Sequence, residues 1–559
     1  MSGEAGELLF LPLGGAGEIG MNLNLYCYDG QWLMVDLGIT FADDSLPGID
    51  VVLPDPRFIV EHRDDLLGIV LTHAHEDHLG AVPYLWTQLR CPVYATPFTA
   101  EVLRRKLAGG DGTMAGIEDL VITEVPLGGS LTLGPFEIEF ISLTHSIPEP
   151  NALAIKTPAG TVLHTGDWKI DPDPLVGAVT DEAALRRLAD DGVLAMVCDS
   201  TNVFRDGESG SEATVRANLI ELIGGLTGRV AVGCFASNVA RVATIVAAAE
   251  AAGRHVALVG RSLWRITEAA RVTGYLEDLP PLLTDRDGGL LPPDKVLYLC
   301  TGCQGEPRAA LSRIASNNHP HITLGEGDTV IFSSKIIPGN ELAINRLQNR
   351  LIGLGVDIMT EDDHDIHVSG HPCRDELAQM YRWVKPRISV PVHGEARHLL
   401  EHARYARTLQ VPESVVVENG DLLRLAPGPA EVVDHVHSGR LLLDGKRLLS
   451  AESDVIRARR RLMNNGVAFV TLVLDGDGEL MAEPRVVAQG VFSTDDPDGE
   501  GEAALIAAAE AVRTALAALS RRARDNDQTV GEAARIAARR VLKPERDKRP
   551  VVEVQVVRI

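Results

Sequence analysis

His73-Ala74-His75-Glu76-Asp77-His78 sets three histidines and an aspartate, all able to bind a metal ion, within six residues. The stretch follows the apolar run Leu67-Gly68-Ile69-Val70-Leu71, which reads as a strand, and precedes Leu79-Gly80-Ala81-Val82. Its polar side chains are therefore expected in a turn leaving a strand, where a rigid element can aim several of them at one point. Neutral imidazole suits Zn²⁺, and a carboxylate beside it admits a second ion close by. A solvated polar turn would need none of this clustering.

Three further stretches end apolar runs in the same way. Trp32-Leu33-Met34-Val35-Asp36-Leu37-Gly38 is a strand ending in an aspartate, and Phe140-Ile141-Ser142-Leu143-Thr144-His145-Ser146 a strand followed by a lone histidine. Val162-Leu163-His164-Thr165-Gly166-Asp167 delivers an aspartate able to bridge two ions. Singly, such a histidine is a loop residue and such an aspartate a turn former. In series behind the H-x-H-x-D-H stretch they resemble the signature of the metallo-β-lactamase superfamily.

Composition bounds the rest. A chain of 559 residues exceeds one core, and about three domains are expected at ~150 residues each. Hydrophobic residues make up 45% and charged ones 23%, ordinary for a globular protein. No apolar run approaches the ~20 residues that span a bilayer. The acidic start Met1-Ser2-Gly3-Glu4-Ala5-Gly6-Glu7 has no positive n-region, so a cytoplasmic location without membrane attachment is expected. Seven scattered cysteines argue against a disulfide framework, and Cys300-Thr301-Gly302-Cys303, lacking a second pair, reads as ordinary reduced thiols. A net charge of −25 repels polyanions from most of the surface. Nucleic acid then binds only where metal ions or clustered Arg and Lys reverse the field.

Along the chain, strands and helices alternate from about Leu8 to Gly207. Gly14-Gly15-Ala16-Gly17-Glu18-Ile19-Gly20 is not a dinucleotide fingerprint, because Met21-Asn22-Leu23-Asn24-Leu25-Tyr26 continues as a strand. From about Ser211 to Ile352 come βαβ units: a helix from Glu212, the strand Arg229 to Cys234, an alanine-rich helix over Asn238 to Ala252, and strands at His255–Val259, Val296–Leu299 and Asp328–Phe332. These read as a doubly wound parallel sheet inserted within the first unit, because the histidine motifs resume after it. Strands Val467–Val473 and Arg485–Phe492, two alanine-rich helices and a last strand at Val551–Val557 read as a small α/β domain. Its stretch from Arg521 to Ile559 holds eleven Lys/Arg against six Asp/Glu, either a solvated face or an RNA-facing or dimerising one.

Val197-Cys198-Asp199-Ser200-Thr201-Asn202, Ile366-His367-Val368-Ser369-Gly370-His371-Pro372 and Val390-Pro391-Val392-His393-Gly394-Glu395 complete the set. With the inserted unit they resemble the β-CASP branch of the superfamily, and within it the ribonuclease J family. Supporting stretches are Gly14 to Asn22, Thr301-Gly302-Cys303-Gln304-Gly305-Glu306-Pro307 and Ser333-Ser334-Lys335-Ile336-Ile337-Pro338-Gly339-Asn340. Cys303 stands where that family usually has serine, and Pro372 where it usually has alanine. The resemblance implies a metallo-β-lactamase αββα sandwich with an inserted β-CASP doubly wound α/β domain and a small C-terminal α/β domain. The expected division is 1–210, the first part of the sandwich; 211–360, the insert; 361–450, the second part and linker; and 451–559.

It also implies roles. His73, His75 and His145 would hold one zinc; Asp77, His78 and His393 the other; Asp167 would bridge them, with Mn²⁺ or Mg²⁺ as substitutes. Asp36 would orient a ligand histidine. His371, paired with Asp199, would protonate the leaving oxygen and, with Asp77, complete the catalytic set. Ala236, Ser237 and Asn238, with His367, Val368, Ser369, Gly370 and His371, would cradle a terminal phosphate; His164 and His367 are expected to be structural or near that phosphate. Arg261, Arg265 and Lys335 are candidate backbone contacts.

The implied activity is a zinc-dependent ribonuclease of RNA maturation and decay. It would work 5′ to 3′ from 5′-monophosphate ends of single-stranded RNA, with endonuclease cleavage besides. The implied assembly is a homodimer or tetramer, with partners in an RNA-degradation complex. Alternatives are a β-CASP DNA nuclease, a small-molecule metallo-hydrolase of the same fold, and an inactive scaffold, which the complete ligand set disfavours.

Overall fold

A computed structural model describes residues 6–109, 116–337, 339–492, 499–542 and 549–559. Residues 1–5 of the acidic start, Pro338 of the Ser333–Asn340 stretch and 543–548 of the basic C-terminal stretch lie outside the described residues. The chain forms two compact units, one of Met1–Thr40 with Val52–Leu441, the other of Phe41–Val51 with Leu442–Ile559.

The first unit holds a sandwich. One sheet is built around the strands Leu8–Gly14, Leu23–Tyr28, Gln31–Val35 and Leu66–Val70; the other carries Phe136–Ser142, Asn151–Thr157, Gly160–His164, Ala195–Asp199 and Ile388–Val392. Phe10, Tyr26, Leu33 and Val70 of one sheet pack against Ile138, Phe140, Leu153 and Val390 of the other in a continuous dry layer. On the far face of the second sheet, Ile141, Leu163 and Met196 meet Leu185, Leu188, Leu377 and Trp383 from flanking helices. Each such side chain, fully buried, contributes about 1.5–3 kcal/mol relative to exposure.

Register then sets where loops emerge. Val35 pairs with Val70 in parallel, so Asp36 and Leu71-Thr72 leave their strands side by side. In the second sheet His164 pairs with Val197, and Asp199 with Val392, again in parallel. Asp167, Asp199 and His393 thus leave neighbouring strands at one edge. The lone histidine joins them because Ser142, shortly before His145, pairs antiparallel with Asn151.

Strands Ala195–Asp199 and Ile388–Val392 are hydrogen-bonded neighbours, yet the whole inserted sheet lies between them in sequence. That insert, among the described residues, is six-stranded and parallel throughout, as its βαβ pattern requires. Its helix Glu212–Gly224 starts at Ser211, whose hydroxyl accepts the Ala213 N–H, and Val239–Ala251 starts at Asn238, whose side chain accepts the Arg241 N–H.

The second unit packs helices Glu500–Ala517 and Asp527–Leu542 on a sheet of Val467–Leu474, Arg485–Gln489 and Val551–Arg558. The edge strand Arg485–Gln489 stops short of the expected Phe492, because Gly490 turns into left-handed backbone at φ 67°. Half of the basic side chains described in the C-terminal basic stretch pair with acids within the unit. Arg521 pairs with Asp477, Arg524 with Glu479, Arg535 with Glu532 and Arg558 with Asp527. That favours the solvated-face reading for its described part.

Candidate active site

Two groups of side chains meet at the strand edge. In the first, Nε2 of His73 lies 3.1 Å from Nδ1 of His75, which lies 3.1 Å from Nε2 of His145; Oδ2 of Asp167 is 3.9 Å from the His73 and His145 atoms. In the second, the same Asp167 oxygen is 3.2 Å from Nε2 of His78 and 3.6 Å from Nε2 of His393. Asp77 Oδ2 closes it at 3.1 Å from His393 and 3.6 Å from His78. An ion bound tetrahedrally at 2.0–2.2 Å has ligand atoms about 3.3–3.6 Å apart, so both groups have metal-site dimensions. Asp167 Oδ1 is buried without a hydrogen-bond partner, an orphan that a second metal contact would relieve. The residues fit a pair of zinc ions sharing one carboxylate.

The other nitrogen is spoken for in four of these five imidazoles, those of His73, His78, His145 and His393. Asp36 Oδ2 accepts from His78 Nδ1 at 2.7 Å and from the Thr72 hydroxyl at 2.8 Å, and that hydroxyl accepts from His73 Nδ1 at 3.0 Å. His145 Nδ1 donates to the Gly370 carbonyl. His393 Nδ1 donates to the Thr201 hydroxyl at 2.9 Å, which donates on to Asp199. The network assigns one tautomer to each of these four rings and leaves a lone pair on the inward nitrogen, as metal-bound histidines require. Two glycines make room: a Cβ on Gly38 would lie 1.7 Å from the Asp77 carbonyl oxygen, and one on Gly370 would lie 2.7 Å from the His145 ring.

Electrostatics separate the two groups. Burial lowers His73 and His145 well below the ordinary histidine range, and brings His75 down to about 4, so these rings stay neutral. Burial also works on His78 and His393, but Asp167 first and then the other nearby carboxylates raise both well above it. A field that strong attracts any cation. Asp167 itself, despite burial, is held well below the carboxylate range by His393 and His78.

Four family models match: residues 21–195 the metallo-beta-lactamase superfamily, 227–351 the beta-CASP domain of ribonuclease J, 355–416 a Zn-dependent metallo-hydrolase RNA specificity domain, and 454–559 the ribonuclease J C-terminal domain. A ribonuclease J of Sinorhizobium meliloti is 46% identical over 557 residues, 99% of this chain and 98% of that protein. The chain belongs to the ribonuclease J family. Ribonucleases J of Corynebacterium glutamicum, at 40% over 89% of this chain, and Thermus thermophilus, at 35% over 84%, are also similar, spanning 69% and 82% of those proteins. A crystal structure of a protein of unknown function from Enterococcus faecalis V583 shares the fold, with a TM-score of 0.53 at 16% identity, over 75% of this chain and 100% of that one.

Within this ribonuclease J fold, His371, Asp199 and the Gly370 carbonyl lie at the same centre. His371 Nδ1 donates to Asp199 Oδ2 at 2.7 Å and is 3.9 Å from Asp167 Oδ2. Burial works against the imidazolium, but Asp199 outweighs it and raises His371 above the ordinary histidine value. The turn carrying His371 is fixed by Asn202, which donates to the Ser369 hydroxyl at 2.7 Å and the His371 carbonyl at 2.9 Å. Val368 and Gly370 are half-buried there. Ala236 and Ser237 are half-buried after the strand Val230–Gly233, at the carboxyl edge of the inserted parallel sheet, where open α/β sheets take ligands. Asn238 is buried, and its side chain caps the helix and donates to Glu212 at 3.3 Å.

Among the remaining candidates, buried His164 accepts or donates at the Tyr26 hydroxyl, 2.9 Å away, and belongs to the core. Arg265 approaches Glu76 to 3.8 Å, beside the metal-ligand stretch. All seven cysteines are free and buried, so none forms a disulfide. No helix among the described residues is long and apolar enough to cross a membrane. Sequence reasoning missed Thr72, Thr201 and the Gly370 carbonyl. Their only signal was adjacency to His73, Asp199 and His371.

Proposed function

We propose that this chain is a zinc-dependent ribonuclease that degrades 5′-monophosphorylated RNA from the 5′ end and also cleaves internally. The sharing of Asp167 between two ligand groups carries the reading. His73, His75, His145 and Asp167 would hold one ion; Asp77, His78, His393 and Asp167 the other. Bound there, such ions supply a nucleophile near neutral pH and Lewis acidity toward a phosphodiester. The protein's own groups do the rest. Asp36, Thr72 and Thr201 keep the ligand rings in one tautomer. His371, kept protonated by Asp199, is placed to give its proton to the leaving oxygen, a general-acid contribution of typically ~10²–10⁴-fold.

The Ser369-Gly370 turn and Ala236-Ser237 support a pocket for the terminal phosphate, fixing its distance to the ions so that cleavage proceeds stepwise from that end. The proposed division is 1–210, 211–360, 361–450 and 451–559. Pairing into homodimers or tetramers and recruitment to an RNA-degradation complex rest on the family resemblance, and a cytoplasmic location on the character of the acidic start. Light scattering tests the pairing.

The deciding experiment uses 3′-labelled RNA of one sequence with a 5′-monophosphate or 5′-triphosphate, and the matching single-stranded DNA. The monophosphate RNA is expected to disappear fastest, releasing mononucleotides. Equal rates on all three would defeat the reading, and a DNA preference would favour the DNA-nuclease alternative.

A further inference from the structure

Arg241, in the helix Val239–Ala251, is completely buried and touches none of the metal ligands, yet its guanidinium joins three pieces of the first unit. Nε and Nη2 donate to Glu212, at 3.1 and 2.9 Å. Nη1 faces the Ser333 carbonyl at 2.9 Å, the Ser333 hydroxyl at 2.7 Å, the Ile366 carbonyl at 3.2 Å and His367 Nδ1 at 3.4 Å. The Ser333 hydroxyl itself donates to the Ile366 carbonyl at 2.7 Å. The start of the phosphate turn is therefore tied to the helix Glu212–Gly224 and to the end of the strand Thr329–Phe332.

A guanidinium has only donors. A proton on His367 Nδ1 would set N–H against N–H, so that nitrogen must carry the lone pair and the ring proton sits on Nε2. Burial, then the positive charges of Arg241, Lys169 and Arg205, keep the ring neutral by holding it well below the usual histidine range. The result is a ring with one donor and no ionisation. Terminal phosphate oxygens are acceptors, so the opposite tautomer would present them with a lone pair.

We propose that Arg241 is a positioning residue that locks His367 in its Nε2–H tautomer, making Nε2 an obligate donor to the 5′-phosphate of the RNA. This rests on the phosphate-pocket reading above and adds how that pocket is polarised.

The test compares kcat/KM for 5′-monophosphate and 5′-hydroxyl RNA of one sequence, using the full-length zinc-loaded enzyme. Glutamine places its amide nitrogen near the Nε2 position; asparagine ends near Nδ1. His367→Gln is expected to keep most of the monophosphate preference, while His367→Asn loses about ten- to a hundredfold of it, the scale of one hydrogen bond to a charged group. Equal losses in both variants, with the wild-type preference intact, would overturn the proposal and leave the pocket standing. No preference in the wild type would overturn the pocket reading and this one together. Independently, ¹⁵N spectra of labelled enzyme should show His367 Nδ1 unprotonated, with the tautomers mixing in Arg241→Lys. A protonated Nδ1 in the wild type refutes the assignment even if Arg241→Lys fails to fold.

Discussion

His371 and Asp199 show how a single contact decides a residue's chemistry. Burial alone would strip the proton from His371; the Asp199 carboxylate 2.7 Å away restores it. A raised value means the acid form persists to higher pH and is lost as pH climbs through it. Asp199→Asn keeps an oxygen for Thr201 but removes the charge, so the alkaline limb of the kcat profile is expected to move to lower pH, and an unmoved limb would remove His371 from the acid role. His371→Ala should slow turnover by about 10²–10⁴-fold while elemental analysis still finds both metals; metal loss would make it a ligand instead. Asp77→Ala and His78→Ala are expected to abolish turnover while RNA still binds in a gel-shift assay. Wild-type rates in either would show the centre misassigned.

At the scale of elements, the ligand positions were legible because each ends an apolar run, and strand pairing converts that pattern into a common edge. The supports were not legible. Thr72 and Thr201 are ordinary residues until register places them behind a histidine, and the Gly370 carbonyl carries no side chain to read. That the Asn238 side chain both caps its helix and meets Glu212 was likewise not legible, since Glu212 is brought to it only by the fold.

A second buried support sits between the bridging aspartate and the insert. Lys169 and Asp171 pair at 2.8 Å with both side chains out of solvent, and Asp171 also accepts the Glu212 N–H. Burial opposes the Asp171 carboxylate, but Lys169 outweighs it and sets its value below the usual range. The stability it contributes is then present above the unfolded value, about 3.9, and disappears as pH falls through the folded one. Asp171→Asn is expected to cost about 3–5 kcal/mol near pH 7 by denaturant melts, with the gap closing in acid. A gap independent of pH would mean that the pair is not what the variant disturbed.

For the whole molecule, bound metal should be a large share of cohesion. Stripping it with a chelator leaves Asp77, Asp167 and Asp199 crowded near one another. An ion at 1,000 times its Kd adds about 4 kcal/mol to unfolding, so the melting temperature of the first unit is expected to fall by several degrees and to recover on adding zinc. An unchanged melt would argue that the ligand groups do not hold ions tightly.

The segment Phe41–Val51 belongs to the second unit, where Arg460 donates to the Ser45 carbonyl at 2.7 Å. Just before it, Leu37 N–H donates to the His78 carbonyl and Ile39 N–H to that of Glu76, at 2.6 and 3.0 Å. The shelf under the ligand stretch is thus made of main-chain donors, which side-chain substitutions leave in place, and it runs directly into a segment that belongs with the second unit.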